Sequence, residues 1–136
     1  MAEKVRQVEY YYATTPNRAG EAARALAALK KARVNLLAFT GFPRGRRAQL
    51  DFIPDKPEAF LAAARKAGLK LSLRKTGFLV QGRDRVGILG DILGKLAKAK
   101  INVTACDALC AGNGRYGAIL WVKPPDRIRA AKALGL

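Results

Sequence analysis

Two loops of the sequence pair a short polar residue with a glycine three positions later. They read Asn17-Arg18-Ala19-Gly20 and Asp84-Arg85-Val86-Gly87. A short polar side chain can cap the start of a helix, and glycine has no side chain that would keep a ligand away from the backbone. Free amide N–H groups at a helix start attract negative charge. The two loops are therefore candidate sites for a carboxylate group.

A second polar residue recurs after the helix that each loop precedes. It is Asn35 within Val34-Asn35-Leu36 and Asn102 within Ile101-Asn102-Val103, at the start of an otherwise apolar strand. An amide side chain supplies both a donor and an acceptor to a ligand. The alternative is that each asparagine only forms the turn between helix and strand.

Few side chains could act as acid, base or nucleophile. The chain has no histidine, and each loop has at most one acidic residue. No nucleophile stands beside a base, so we predict that the protein is not an enzyme. Cys106 and Cys110 have no counterparts in the other half of the chain, and no histidine is present to complete a metal site. We expect reduced thiols, no metal ion and no cofactor.

The candidate residues recur because the sequence is a tandem repeat. A shift of 67 positions places residues 17–69 over residues 84–136 without a gap, with 15 identical pairs out of 53. We expect two small domains, residues 1–75 and 76–136, with function in a duplicated site or at their junction.

The hydrophobic pattern predicts the order β-α-β-β-α-β in the first repeat. Period-two alternation indicates strands and helical spacing indicates helices. The predicted elements are strands Val5–Ala13, Val34–Thr40, Gln49–Phe52 and Leu69–Arg74, helices Ala19–Ala32 and Pro57–Ala67, and a loop Gly41–Arg47. This order predicts an α+β fold of two ferredoxin-like units in tandem, each an antiparallel sheet with both helices on one face.

The second repeat follows the same order but stops early. Its predicted elements are strands Gly77–Gln81, Ile101–Asp107 and Tyr116–Lys123 and helices Gly87–Lys98 and Asp126–Leu134. Its fourth strand is missing or very short. An exposed sheet edge is usually covered, so we expect another strand to fill this position, from this chain or from a second copy.

Two further patterns suggest contacts outside the unit cores. Gly90 and Gly94 lie one turn apart in a predicted helix, where Ala23 and Ala27 stand in the other repeat. Such small residues favour close approach of another helix, or are merely tolerated. The strand Ala118–Val122 is apolar on both faces, which predicts that both faces are covered.

The formal charge is +16, from 26 Lys plus Arg against 10 Asp plus Glu. Such a charge is typical of proteins that bind nucleic acid or another polyanion. The cations are spread along the predicted helices, however, and no basic block is longer than Arg44-Gly45-Arg46-Arg47. Solvated helix faces explain most of this spread. No apolar run is long enough to span a membrane, and the start of the sequence lacks a signal peptide, so we expect a cytoplasmic protein.

The sequence resembles the ACT domain family, whose usual pattern is D-R-P-G-x-L, a helix and a G-I-N-I-like strand start. The matching residues are Asp84-Arg85-Val86-Gly87-Ile88-Leu89-Gly90-Asp91-Ile92, then Leu96, Ala99 and Ile101-Asn102-Val103, with a weaker copy from Asn17-Arg18-Ala19-Gly20 to Val34-Asn35-Leu36. Ala19 and Val86 replace the proline, and Arg33 and Lys100 stand where glycine is common. The chain is similar to small stand-alone tandem ACT proteins.

The resemblance implies a regulatory module that binds an amino acid where two units meet, in a homodimer or higher homo-oligomer. It implies these ligand-binding residues: Asn17, Gly20, Asn35, Asp84, Gly87 and Asn102. Asn17 suits a carboxylate better than Asp84, whose charge repels the acid unless it meets the amino group.

Nucleic acid is the alternative partner. Arg115-Tyr116-Gly117-Ala118-Ile119-Leu120-Trp121 resembles the RNP1 segment of RNA-recognition domains, although Tyr116 and Trp121 have opposite parity along the strand.

Overall fold

The computed structural model describes residues 3–136, in which strands and helices alternate. The strands are β1 (Lys4–Pro16), β2 (Leu36–Arg44), β3 (Arg47–Pro54), β4 (Lys75–Arg83), β5 (Val103–Gly112) and β6 (Arg115–Val122). The helices are α1 (Glu21–Lys31), α2 (Pro57–Lys66), α3 (Ile88–Lys98) and α4 (Arg127–Ala133), and a short 3-10 turn, Pro124–Asp126, precedes α4. The fold class is α+β, as predicted. No helix within residues 3–136 is long and apolar enough to cross a bilayer.

The chain forms two compact units that correspond to the two repeats. The first unit is Glu9–Lys75, and the second is Thr76–Leu136 together with residues 3–8. Strand β1 therefore contributes its later residues to the first unit and its earlier residues to the second.

The first unit has the strand order β2-β3-β1, and both pairings are antiparallel. Alternate residues of these strands point toward α1 and α2 and form the core with them. At its centre the Phe60 ring lies 5.7 Å from the ring of Tyr11 and 5.3 Å from that of Phe52, between ring centroids. Leu29 and Ala64 bring the two helices onto this aromatic group and are almost fully buried.

The second unit has the strand order β5-β6-β4, again antiparallel. Its core joins Phe78, Val80 and Leu120 of the sheet to Leu96 of α3 and Ala130 of α4, and all five side chains are fully buried. Every residue of Ala118–Val122 is buried, so both faces of this part of β6 are covered, as its two-sided apolar sequence predicted.

The beginning of β1 takes the fourth-strand position of the second unit. Strand β1 lies next to β4 in the sheet, and Val5 packs against the core of the second unit. The Arg127 guanidinium of α4 donates a hydrogen bond to Gln7 Oε1, 3.4 Å away. The strand that fills this edge therefore comes from the same chain.

Two predicted elements of the first repeat are wrong. The predicted loop Gly41–Arg47 is largely strand, because β2 continues to Arg44 and pairs with β3 across a tight turn. The predicted strand Leu69–Arg74 is an irregular segment. It lies beside β1, but the Tyr12 N–H donates to Ser72 Oγ (3.0 Å) rather than to a main-chain carbonyl, which interrupts a regular ladder.

Candidate functional site

Both candidate loops end in a glycine with left-handed backbone geometry. Gly20 has φ 89° and ψ −12°, and Gly87 has φ 83° and ψ 3°, directly before α1 and α3. The positive φ values explain why both helices begin one residue after the glycine. A residue with a side chain would be strained there, so the glycines serve the turn itself.

The expected capping by Asn17 and Asp84 is wrong. In the described part of the chain no side chain caps α1 or α3. The Glu21 N–H instead donates to the Arg18 carbonyl at 3.4 Å, and the Ile88 N–H donates to the Arg85 carbonyl at 3.3 Å. The next amides of each first turn have no partner within the helix, which leaves donors at both helix starts.

A pocket of about 300 Å³ lies beside the first loop. Its polar side is formed by Asn17, Arg18 and Glu21, and its apolar side includes aromatic rings of β2. The lining residues from the sheet and helix are Thr15, Pro16, Ala22, Phe39, Gly41, Phe42, Pro43, Ala48 and Leu50. Gly20 lies between the lining residues Arg18 and Glu21.

The charges beside this pocket are partly neutralised. The Glu21 carboxylate forms ion pairs with Arg18, at 3.1 Å, and with Arg24. Desolvation acts to raise the pKa of Glu21, but the hydrogen bonds from the two guanidinium groups outweigh it and lower the pKa. Glu21 therefore stays ionised, and one positive charge remains in this group of three.

The second unit has a corresponding pocket of about 270 Å³. Asp84, Arg85 and Gly87 of the second loop line it, and α3, β5 and β6 form the other walls. The remaining lining residues are Ile88, Leu89, Gly90, Ala108, Leu109, Cys110 and Tyr116. The same place in the fold is thus hollow in both repeats, with a more apolar lining in the second.

Asp84 is held in place by its neighbours. Its backbone N–H donates to the Gly114 carbonyl at 2.8 Å, and the Cys110 thiol donates to its Oδ2 at 3.1 Å. This hydrogen bond, together with the carboxylate charge, raises the pKa of the Cys110 thiol. Arg85 forms an ion pair with Asp91 of α3 rather than with Asp84.

Tyr116 is a pocket residue that the sequence reasoning did not nominate. Its side chain is only 4% exposed, and its hydroxyl has no hydrogen-bond partner within residues 3–136. Burial, reinforced by the charge of Glu3 and opposed by Arg85, raises the pKa of Tyr116 to about 12. The hydroxyl is therefore neutral at pH 7 and can donate a hydrogen bond. The strand alternation that puts residue 116 on the helix side of the sheet was the available signal.

The two strand-start asparagines lie apart from these pockets. Asn35 lines a more open depression of about 490 Å³ with Leu26, Lys30 and Arg33, and its backbone carbonyl accepts a bond from the Asp55 N–H at 2.9 Å. Asn102 is exposed just before β5 and does not line the second-unit pocket. Asp84 and Gly87 therefore line the second-unit pocket, and Asn17 lines the first-unit pocket close to Gly20. Asn35 and Asn102 line neither pocket.

Metal binding and base stacking find no support at the other candidate positions. Among residues 3–136 no group of acidic, cysteine or histidine side chains could hold a metal ion, and Cys106 and Cys110 are free thiols. In the RNP1-like segment Tyr116 and Trp121 are 4% and 5% exposed, so their rings offer no stacking surface.

Comparisons with known proteins support the fold. No protein-family model matches the chain, and no curated protein matches it. Among solved structures, protein BT0572 from Bacteroides thetaiotaomicron is similar with a TM-score of 0.79 and 16% identity, over 94% of this chain and 88% of that one. The regulatory subunit of aspartate kinase from Thermus thermophilus has a TM-score of 0.69 and 14% identity, over 98% and 95%.

The regulatory subunit of aspartate kinase from Thermus flavus is also similar, with a TM-score of 0.64 and 18% identity over 98% and 95% of the two chains. At these identities the likeness shows the fold alone. It is the predicted fold, an ACT-like arrangement of tandem ferredoxin-type units.

Proposed function

We propose that the protein is a non-enzymatic regulatory module that binds a small ligand, an amino acid, at the loop before the first helix of each repeat. The pocket duplicated beside Gly20 and Gly87 is the observation on which this proposal rests. Both pockets combine apolar walls with a few polar groups, which is typical of small-molecule sites.

In the first unit the ligand carboxylate is expected at the start of α1. The amides of Ala22 and Ala23 have no partner inside the helix, and the helix dipole favours negative charge there. Arg18 adds a cation at the same edge, while Asn17 can accept a hydrogen bond from the ligand ammonium group. Phe39 and Leu50 would contact an apolar ligand side chain.

In the second unit the polar groups are different. The Asp84 carboxylate suits the ammonium group of the ligand, and the amides of Leu89 and Gly90 suit its carboxylate. Tyr116 forms part of the pocket wall, while its hydroxyl is buried near Gly82, which does not line the pocket. These differences predict unequal affinities in the two repeats.

Regulation requires that the ligand favour one of two arrangements of the protein, which needs different affinities for the two. The solved neighbours named as regulatory subunits of aspartate kinase support this part of the proposal. We further propose that the ligand lies where ACT-type units of two copies meet, in a homodimer or higher oligomer, and that Asn35 and Asn102, which line neither pocket of a single chain, become additional contacts there.

The edge strand β5 supports self-association. Nine of its ten residues are exposed, including Leu109 at 67%. Lysine or proline in an edge strand commonly prevents it from pairing with another chain. Strand β5 contains neither residue, although the chain has 26 Lys plus Arg in all. Sedimentation at micromolar concentration should therefore show a dimer, which Leu109→Lys is expected to dissociate.

The ligand proposal is tested by titration calorimetry with the twenty amino acids. At least one should give heat, and Asn17→Ala or Asp84→Ala should each weaken its binding by about tenfold, because a hydrogen bond to a charged group is lost. Gln81→Ala is the matched control, since Gln81 is exposed and lines neither pocket. The absence of heat and of thermal stabilisation with all twenty would contradict the proposal.

A further inference from the structure

The hairpin between β2 and β3 concentrates arginine side chains at its tip. Arg44 ends β2 and lies opposite Arg47, which begins β3, while Gly45 (φ 62°) and Arg46 form the turn. All three arginines are exposed. Like charges directly opposite across a strand pair repel each other, so this register is electrostatically unfavourable by itself.

No carboxylate compensates this charge in the described part of the chain. The ion pairs of residues 3–136 join other groups: Arg18 and Arg24 to Glu21, Arg74 to Glu9, Arg85 to Asp91 and Arg129 to Asp126. The hairpin arginines instead contact neutral groups, which leave their charge unbalanced.

These neutral contacts hold two of the guanidinium groups in position. Arg44 donates to Gln49 Oε1 at 2.6 Å. Arg47 donates through Nε to Thr14 Oγ1 at 3.4 Å and through a terminal nitrogen to the Thr14 carbonyl at 3.2 Å. A guanidinium has five N–H donors in a planar fork that matches a phosphate, so donors remain on both side chains.

The fold does not require three arginines at this turn. In the β5–β6 hairpin, which has the same register, Gly112, Gly114 and Arg115 take the places of Arg44, Arg46 and Arg47. The β5–β6 hairpin forms there with an uncharged turn. The second hairpin thus has one arginine, Arg115, where the first has three, and the cluster of three is specific to the first unit.

An exposed aromatic ring accompanies the arginines. Phe42 is two residues before Arg44 on β2, so both side chains are on the same face of the sheet, and the Phe42 ring is 40% exposed. Arginines that meet phosphates beside a ring on which a base can stack are typical of single-stranded nucleic-acid sites. A simple polyanion such as heparin makes no use of the ring.

We propose that the β2–β3 hairpin of the first unit binds single-stranded nucleic acid, with Arg44, Arg46 and Arg47 on phosphates and a base stacked on Phe42. The three arginines line neither amino-acid pocket, whereas Phe42 also lines the first-unit pocket, so the proposed site adjoins that pocket at this ring.

The test is the salt dependence of binding to a fluorescent 20-nucleotide oligouridine, with the DNA oligomer and a duplex of the same length alongside. The wild type should bind both single strands more tightly than the duplex. In Arg44→Gln/Arg46→Gln/Arg47→Gln, the slope of log K against log salt should fall by about 2, at roughly 0.7 per phosphate contact, with at least about tenfold weaker binding at 50 mM salt. Phe42→Ala should weaken single-strand binding by roughly tenfold through lost stacking.

The matched control removes three charges from the helices of the same unit. Lys31, Arg65 and Lys66 are exposed, and replacing each by Gln gives the same net charge as the hairpin variant. Circular dichroism and amino-acid titration of both triple variants establish that the fold and the pockets are intact. The proposal would be overturned by any of three results. These are an equal loss of oligonucleotide affinity in the two triple variants, no oligonucleotide binding by the wild type, and a hairpin variant that loses binding to heparin but not to the oligonucleotides.

Discussion

Arg33 and Lys100, which are 67 positions apart, share a backbone φ of 58°. Each lies two residues beyond the end of its helix, where the chain turns into the next strand. The following amides close the turn in the same way, from Val34 N–H to the Leu29 carbonyl and from Ile101 N–H to the Leu96 carbonyl, both at 2.9 Å. The repeat thus extends to a left-handed backbone position that residues with side chains rarely adopt.

Glycine at either position is expected to stabilise the protein. Arg33→Gly and Lys100→Gly should each raise the free energy of unfolding by about 1 kcal/mol, because glycine adopts positive φ without a clash. Urea unfolding measures the change. Lys31→Gly, in the last turn of α1, is the control and should lower stability by about 1 kcal/mol. A lower urea midpoint for Arg33→Gly would contradict the left-handed geometry.

Alanine should have opposite effects at two glycines of the second unit. Gly87→Ala is expected to cost about 1–2 kcal/mol, because its φ of 83° strains any side chain although the space is open. Gly90→Ala in α3 is expected to stabilise by about 1 kcal/mol, since the added methyl group meets no atom within 4 Å. Destabilisation by Gly90→Ala would instead indicate close approach of another helix, as the stripe of small residues suggested. Thermal unfolding at several protein concentrations separates a contact within the chain from one between copies.

Removal of the Tyr116 hydroxyl should separate stability from binding. Tyr116→Phe is expected to leave the ligand-free protein as stable or about 1 kcal/mol more stable, because a buried hydroxyl without a partner is unfavourable. It should leave binding in the second-unit pocket unchanged, because the ring that forms the pocket wall is kept and the hydroxyl is buried. Tyr11→Phe is the control, since the Tyr11 hydroxyl contacts Glu9 Oε2 at 3.3 Å and lines neither pocket. Clear destabilisation by Tyr116→Phe would show that the hydroxyl has a partner.

Asp84→Asn should make Cys110 more reactive. The carboxylate accepts the thiol hydrogen and its charge disfavours the thiolate, so neutralising it lowers the pKa of Cys110 toward the ordinary thiol value. Alkylation by iodoacetamide at pH 8, followed by mass spectrometry, should therefore be several-fold faster at Cys110. Cys106 is the internal control, because burial and then Asp107 raise its pKa. An unchanged Cys110 rate would exclude the hydrogen bond to Asp84.

The helices and strands that the sequence predicted correctly are those that depend on patterns among neighbouring residues. Helical spacing of Leu26 and Leu29, and period-two alternation around Tyr10, are fixed by neighbouring residues. The loop expected at Gly41–Arg47 was wrong because Gly, Pro and Arg suggest a loop, whereas pairing with β3 decides the outcome. Periodicity could not detect the Ser72 side chain that interrupts a strand beside Tyr12.

The candidate site was predicted only in part, for a similar reason. The polar-residue and glycine spacing found both loops, since a helix start is a local feature. Tyr116 was not predicted as a pocket residue, because its place in the pocket depends on the β5–β6 register, which sets it opposite Cys110. That register follows from strand pairing rather than from any motif.

The sharing of β1 between the two units affects how the duplication can be divided. A chain cleaved between Lys75 and Thr76 would leave the later half without the segment ending at Val8, which closes its sheet. On the ribosome that segment emerges long before β4, so the later half is completed only through a long-range contact, which slows folding. The two repeats are similar in sequence, yet the polypeptide cannot be divided at the repeat boundary into two self-sufficient parts.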